Sequence, residues 1–192
     1  MTWENELFGV LDDLEHYAGV VFGAERDLEV ADRSRTEYRD VTLASRLQAS
    51  VGRDVGVHVS GFGVLRGRLD RVCATWCLIA ASSPGVVREW LVPLAAVAAA
   101  DGLDDRSVPE MAWSPLSRLG LGSALRRLGD AGERCVIHLR DGGRHDGTPA
   151  RVGHDFVEVV EVGEVGEGGE VGGCGTRLSL VAFDAIAAVQ SR

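Results

Sequence analysis

The sequence predicts a mainly β protein with some α, built as two tandem five-stranded units, each preceded by a short helix, behind an N-terminal helical arm. Three observations carry that expectation. First, the stretch from His58 to Ile79 returns from His138 to Val159 at a constant offset of 80 (138 minus 58). This pairs Gly63 with Gly143, Gly67 with Gly147, Arg71 with Arg151 and Val72 with Val152. Second, the repeated stretches alternate apolar and polar residues over short runs broken by glycine, the pattern of strands with one buried face. Third, Leu7, Leu11, Leu14, Ala18, Val21 and Leu28 recur at spacings of four and three, a helical stripe. A repeat of this size is a structural unit used twice.

The elements follow in order. Residues 1–40 are the helical arm, with Glu4, Glu6, Asp12, Asp13 and Glu15 near its start, where the helix dipole favours acids. The stripe of Leu7, Leu11, Leu14 and Val21 either lies on its own chain or pairs two chains. Since something must cover it, these four residues are expected at the interface of a homo-oligomer, most simply a dimer. Residues 41–103 form the first unit. A short helix over 42–50 has Thr42 placed as N-cap and Gly52 past its end. Strands follow at 55–59, 64–72, 76–80 and 89–92, then a tight Pro93-Leu-Ala-Ala corner and a fifth strand at 97–100. Residues 104–115 are a linker punctuated by Pro109 and Pro115. Residues 116–192 repeat the unit, with a helix over 116–128 and an inserted Gly/Glu loop at 161–173, whose glycine content opposes a fixed geometry.

Composition narrows the function. The net charge of −9 argues against bulk coating of nucleic acid or an anionic membrane. Charge is uneven, however: residues 1–40 carry 11 acids against 4 arginines, while 114–160 carry 7 arginines, 6 acids and three of the five histidines. An anionic ligand therefore belongs on the second unit. All 20 basic residues are arginine, a coding bias rather than a mark of phosphate binding. No apolar run is long enough for a signal peptide or membrane span, so a cytoplasmic protein that contacts no membrane is expected. Cys73, Cys77, Cys135 and Cys174 are then reduced and match no zinc framework. Cys73 and Cys77 would share a strand face as packing residues, and neither a metal nor another cofactor is expected.

The short helix, the five strands, the glycine opening strand two (Gly67-Arg-Leu-Asp-Arg-Val, Gly147-Thr-Pro-Ala-Arg-Val) and the Leu91-Val-Pro-Leu-Ala-Ala-Val corner resemble the Sm-like group of SH3-type small β-barrels. The resemblance covers residues 42–100 and 118–190. It implies tandem Sm-like five-stranded barrels, in which a glycine lets strand two bend to serve both sheets. The whole chain also resembles an uncharacterised actinobacterial protein family in which Thr42-Leu-Ala-Ser-Arg-Leu, Leu119-Gly-Leu-Gly-Ser-Ala-Leu-Arg-Arg and His138-Leu-Arg-Asp-Gly-Gly recur. Its members are sometimes labelled Fis-type regulators. The region 116–128 has no second, base-reading helix beside it.

Sm-like proteins commonly bind single-stranded RNA through the loop after strand two and the corner between strands four and five. Here the loops hold Cys73-Ala-Thr and Gly153-His-Asp, and the corners Pro93-Leu-Ala-Ala and Ala182-Phe-Asp-Ala, in place of the usual Asp-x-x-Asn and Arg-Gly or Lys-His signatures. Trp76 and Phe156 are expected to pack rather than stack on bases. His58 and His138 alternate with valine, isoleucine and leucine, which puts them on the solvent face. No catalytic motif is present, so the protein is expected not to be an enzyme. The first functional expectation is a regulatory module binding RNA or single-stranded DNA through Arg126, Arg127, Arg140, Arg144, Arg151, His138 and His154. The second is a protein-interaction scaffold, assembled by barrel edges and the N-terminal helix.

Overall fold

The computed structural model describes residues 38–83, 86–162 and 176–191. Contacts divide the chain into Met1–Val41 and Thr42–Arg192. The arm residues Leu7, Leu11, Leu14 and Val21, Cys174 and most of the 161–173 loop lie outside the described residues. Thr42–Arg192 is mainly β, with two α-helices among its described residues. Helix α1 spans Leu43–Ala49 and α2 spans Leu121–Asp130.

Helix α1 starts where the sequence indicates. The Thr42 side chain accepts from the Ser45 N–H at 3.1 Å and Ser45 Oγ accepts from the Thr42 N–H at 3.1 Å, a reciprocal cap. Helix α2 starts later than expected. Residues 116–119 are not α-helical, because Pro115 opens a 3-10 turn over Pro115–Arg118 and Gly120 becomes the N-cap.

The first five strands are β1 (Asp54–Val59), β2 (Gly63–Val72), β3 (Trp76–Ser83), β4 (Val86–Pro93) and β5 (Val97–Asp101), with a 3-10 turn at Leu94–Ala96. The second five are β6 (Cys135–Leu139), β7 (Arg144–Val152), β8 (Phe156–Val162), β9 (Thr176–Ala182) and β10 (Ile186–Ser191), with a 3-10 turn at Phe183–Ala185. All ten lie in one open antiparallel sheet in the order β5-β1-β2-β3-β4-β10-β6-β7-β8-β9. Each run of five thus has the same internal order.

The two runs also share register. Gly56 faces Asp101 as Val136 faces Gln190, and Val57 faces Ala100 as Ile137 faces Val189. A register shift falls between Leu69 and Arg71 in one run and between Pro149 and Arg151 in the other. Gly67 and Gly147 do equivalent work in these strands. A Cβ on either would sit 2.3 Å from a carbonyl oxygen of the next strand, that of Ala80 or Val160. Close approach of two backbones, rather than a positive φ, requires glycine there.

The runs are joined by a seam between β4 and β10, only two residue pairs long: Leu91 with Val189 and Trp90 with Gln190. Packing interlocks across it. The first core cluster, around Leu47, Val57, Leu69 and Ile79, takes in Ala187 and Ala188 of β10. The second, around Leu125, Ile137, Val157 and Ile186, takes in Cys73, Trp76 and Leu91. Trp76 is buried, as expected of a packing residue.

Two expectations are corrected here. Cys73 and Cys77 do not share a strand face: Cys73 lies in the turn after β2, so the two thiols enter different cores. His138 does not stand free on a solvent face. Its ring packs edge-on against Phe62 at 4.9 Å and tilted against Trp90 at 5.5 Å, because the seam carries these aromatic residues of the first run over it. His58, at the matching position, remains about half exposed.

Candidate nucleic-acid interface

The loop after β2 clamps the segment that leads into α2. The Ala74 N–H donates to Ser117 O at 2.8 Å, the Trp76 indole N–H donates to Leu119 O at 2.9 Å, and the Leu121 N–H donates to Thr75 Oγ1 at 3.2 Å. These bonds hold the first turn of α2 against the first run. On the other side the Phe183 ring packs at Gly122, where an added Cβ would meet it at 3.3 Å. Phe183 is itself fixed by its N–H bond to Asp155 O at 2.8 Å, the counterpart of the Leu94 N–H bond to Thr75 O at 2.9 Å in the first run.

Between these contacts lies a cleft of about 440 Å³. Thr75, Pro93 and Ala95 come from the first run, residues 120–123 and Arg126 from α2, and Arg140, Gly153, His154, Phe183 and Asp184 from the second run. The loop after the second strand and the corner after the fourth, from both runs, therefore open on one space.

The electrostatics of the cleft favour an anion. Arg140 is anchored by its backbone N–H to Ala185 O at 2.9 Å, and its Nε donates to Ile186 O at 3.4 Å. Its Nη2 is buried with no hydrogen-bond partner among the described residues. Neither Arg126 nor Arg140 is in an ion pair with a described carboxylate, and Asp184 is the one acid in the lining. The first turn of α2 turns the positive end of its dipole to the cleft, while its Leu121 and Ser123 N–H groups are already taken by Thr75 Oγ1 and Gly120 O.

The structure sorts the seven residues nominated from sequence. Arg126, Arg140 and His154 meet in the cleft. Arg127 lies elsewhere, on an apolar groove of about 500 Å³ with Trp76, Leu91 and Leu119. Arg151 is engaged by Glu158 through Nε to Oε2 at 2.6 Å and Nη2 to Oε1 at 3.1 Å. His138 and Arg144 line a third pocket, over the seam. Thr75, Pro93 and Ala95 were missed from the sequence because they are uncharged; only their loop and corner positions could have marked them. No group of histidine, cysteine and carboxylate side chains among the described residues is placed to hold a metal ion. No helix among the described residues is long and apolar enough to cross a membrane.

No protein-family model and no curated protein matches the chain.

Proposed function

We propose that the protein is a non-catalytic, cytoplasmic regulatory module, built of tandem Sm-like barrels, that binds RNA or single-stranded DNA at the cleft beside α2. The observation that carries this reading is the convergence on one cleft of both loops and both corners with Arg126, Arg140, His154 and the start of α2. The strand order, repeated in each run of five, supports the Sm-like assignment. In this reading the arginines, beside the positive end of the α2 dipole, take backbone phosphate, and the exposed part of Phe183 offers a ring on which a base stacks. With a net charge of −9 the protein does not coat nucleic acid, and binding is local and salt-sensitive. Fluorescence anisotropy with a labelled mixed-sequence single-stranded 12-mer at low salt tests this. A saturable complex is expected, weakened at least about fivefold by Arg126→Gln and by Arg140→Gln, a typical loss for one charge-assisted contact. No saturable complex with either RNA or DNA would defeat the reading.

A second reading, a protein-interaction scaffold that self-associates, is favoured by the β9 edge. Leu178 and Leu180 are 50% and 65% exposed on this strand, which has no partner on its outer side among the described residues. In the β4–β10 seam the counterparts of the two free edges already pair. Repeating that pairing between chains joins β9 of one to β5 of the next, head to tail. Light scattering on the intact chain should show an oligomer that Leu180→Lys dissociates. A monomeric intact chain rejects this reading, and an oligomer untouched by Leu180→Lys moves the contact to the N-terminal arm.

A further inference from the structure

The two runs treat one position in opposite ways, and the difference leaves a charge unanswered. In the first run Asp101 on β5 stands on the same sheet face as His58 and Arg66. Its carboxylate lies 3.6 Å from His58 Nε2 and 3.6 Å from Arg66 Nη1. In the second run the register-equivalent of Asp101 is Gln190, an uncharged amide only 8% exposed. The equivalent of Val64, paired with His58, is Arg144, paired with His138. Strand β4 brings a further cation, Arg88, two residues along from Trp90, which pairs with Gln190.

Arg88, Gln190, His138 and Arg144 thus fall on one face of four adjacent strands and line a pocket of about 420 Å³ over the seam. Neither arginine is in an ion pair with a described carboxylate. His138 Nε2 is buried without a hydrogen-bond partner among the described residues. The register-equivalent of Arg66 is an acid, Asp146, on the same sheet face; it is engaged by Arg134 at 2.9 Å and does not line the pocket.

We propose that this pocket binds the phosphate dianion of a small phosphomonoester, which supplies from outside the negative charge that Asp101 supplies within the first run. Two guanidinium groups match a dianion in charge and its oxygens in forked geometry. The volume lies within the range of small-molecule sites. Burial and Arg144 together hold the His138 imidazole below its ordinary value, with the contact to Gln190 opposing them. An anion held between Arg88 and Arg144 shields that repulsion. Because Arg88 and Gln190 lie on the two seam strands, a bound ligand also clamps the two-pair seam. The site shares no residue with the cleft beside α2 and does not depend on nucleic-acid binding.

Isothermal titration calorimetry of the full chain with inorganic phosphate and with ribose 5-phosphate tests the proposal. One saturable site is expected. Tighter binding of the ester assigns the site to an esterified ligand, and equal binding assigns it to free phosphate; both support a dianion site. Arg144→Gln and Arg88→Gln should each weaken binding at least about tenfold. Gln190→Asp, which installs the first run's carboxylate, should abolish binding and raise the melting temperature of the unliganded chain. That gain would show that the variant is folded. The absence of saturable heat with both probes overturns the proposal. So does a loss that follows Arg126→Gln rather than Arg144→Gln, which would put the anion in the cleft beside α2.

Discussion

At the scale of single residues, equivalent positions in the two runs diverge because their neighbours differ. His58 meets Asp101 in solvent, whereas His138 lies under Phe62 and Trp90 with Arg144 beside it. Burial first, and Arg144 in addition, lower the His138 pKa from its ordinary 6.5, while Gln190 works the other way. The sign for stability follows from linkage. Near and below pH 6.5 the unfolded chain binds the proton at this residue more readily than the folded chain, so this residue's contribution to stability is lost as pH falls through 6.5. Urea midpoints measured at pH 7.5 and 5.5 should fall less in His138→Gln than in the parent; an identical fall contradicts the burial of this ring. The histidine repeat was legible in the sequence. The lid of aromatic rings was not, since Phe62 and Trp90 belong to the other run and reach His138 only through the seam.

At the scale of elements, strand positions and the α1 cap were legible because alternation and Thr42 are local signals. The start of α2 was not, since the 116–119 leucine pattern suits a helix while Pro115 and Gly120 divide the segment into a 3-10 turn and a later helix. The seam was equally hidden. Strand β5 is a partly exposed edge and β10 a buried central strand, yet both are rich in alanine, which packs in either setting. The turn between β1 and β2 shows how tightly the runs are fitted. Gly61 has φ +74°, and an added Cβ would lie 1.9 Å from Arg140 O. Gly61→Ala therefore has to strain the turn and push back the strand end that carries Arg140. A loss of more than about 2 kcal/mol in denaturant unfolding is expected. A change within about 0.5 kcal/mol would show that this close approach does not exist in solution.

At the scale of the whole molecule, the described sheet is continuous, and each core cluster borrows side chains from the other run. That interlock explains why the cleft was only half visible in the sequence. The basicity of 114–160 pointed to the second run and singled out Arg126, Arg140 and His154, which line one cleft. It could not show that Thr75, Pro93 and Ala95 face them, because those residues are uncharged and lie in the first run. Nor could it separate Arg151, held by Glu158, from arginines without an ion pair. Charge patterning counts cations, while geometry decides which are already neutralised.

An amide chemical-shift map of the full chain, titrated with a short single-stranded oligonucleotide at low salt, decides whether the cleft beside α2 binds nucleic acid. Shifts are expected to concentrate at residues 74–76, 94–96, 120–123, 153–155 and 183–185, drawn from both runs, and to collapse in Arg140→Gln. Saturable shifts confined to other surfaces, or none at all, would contradict binding there.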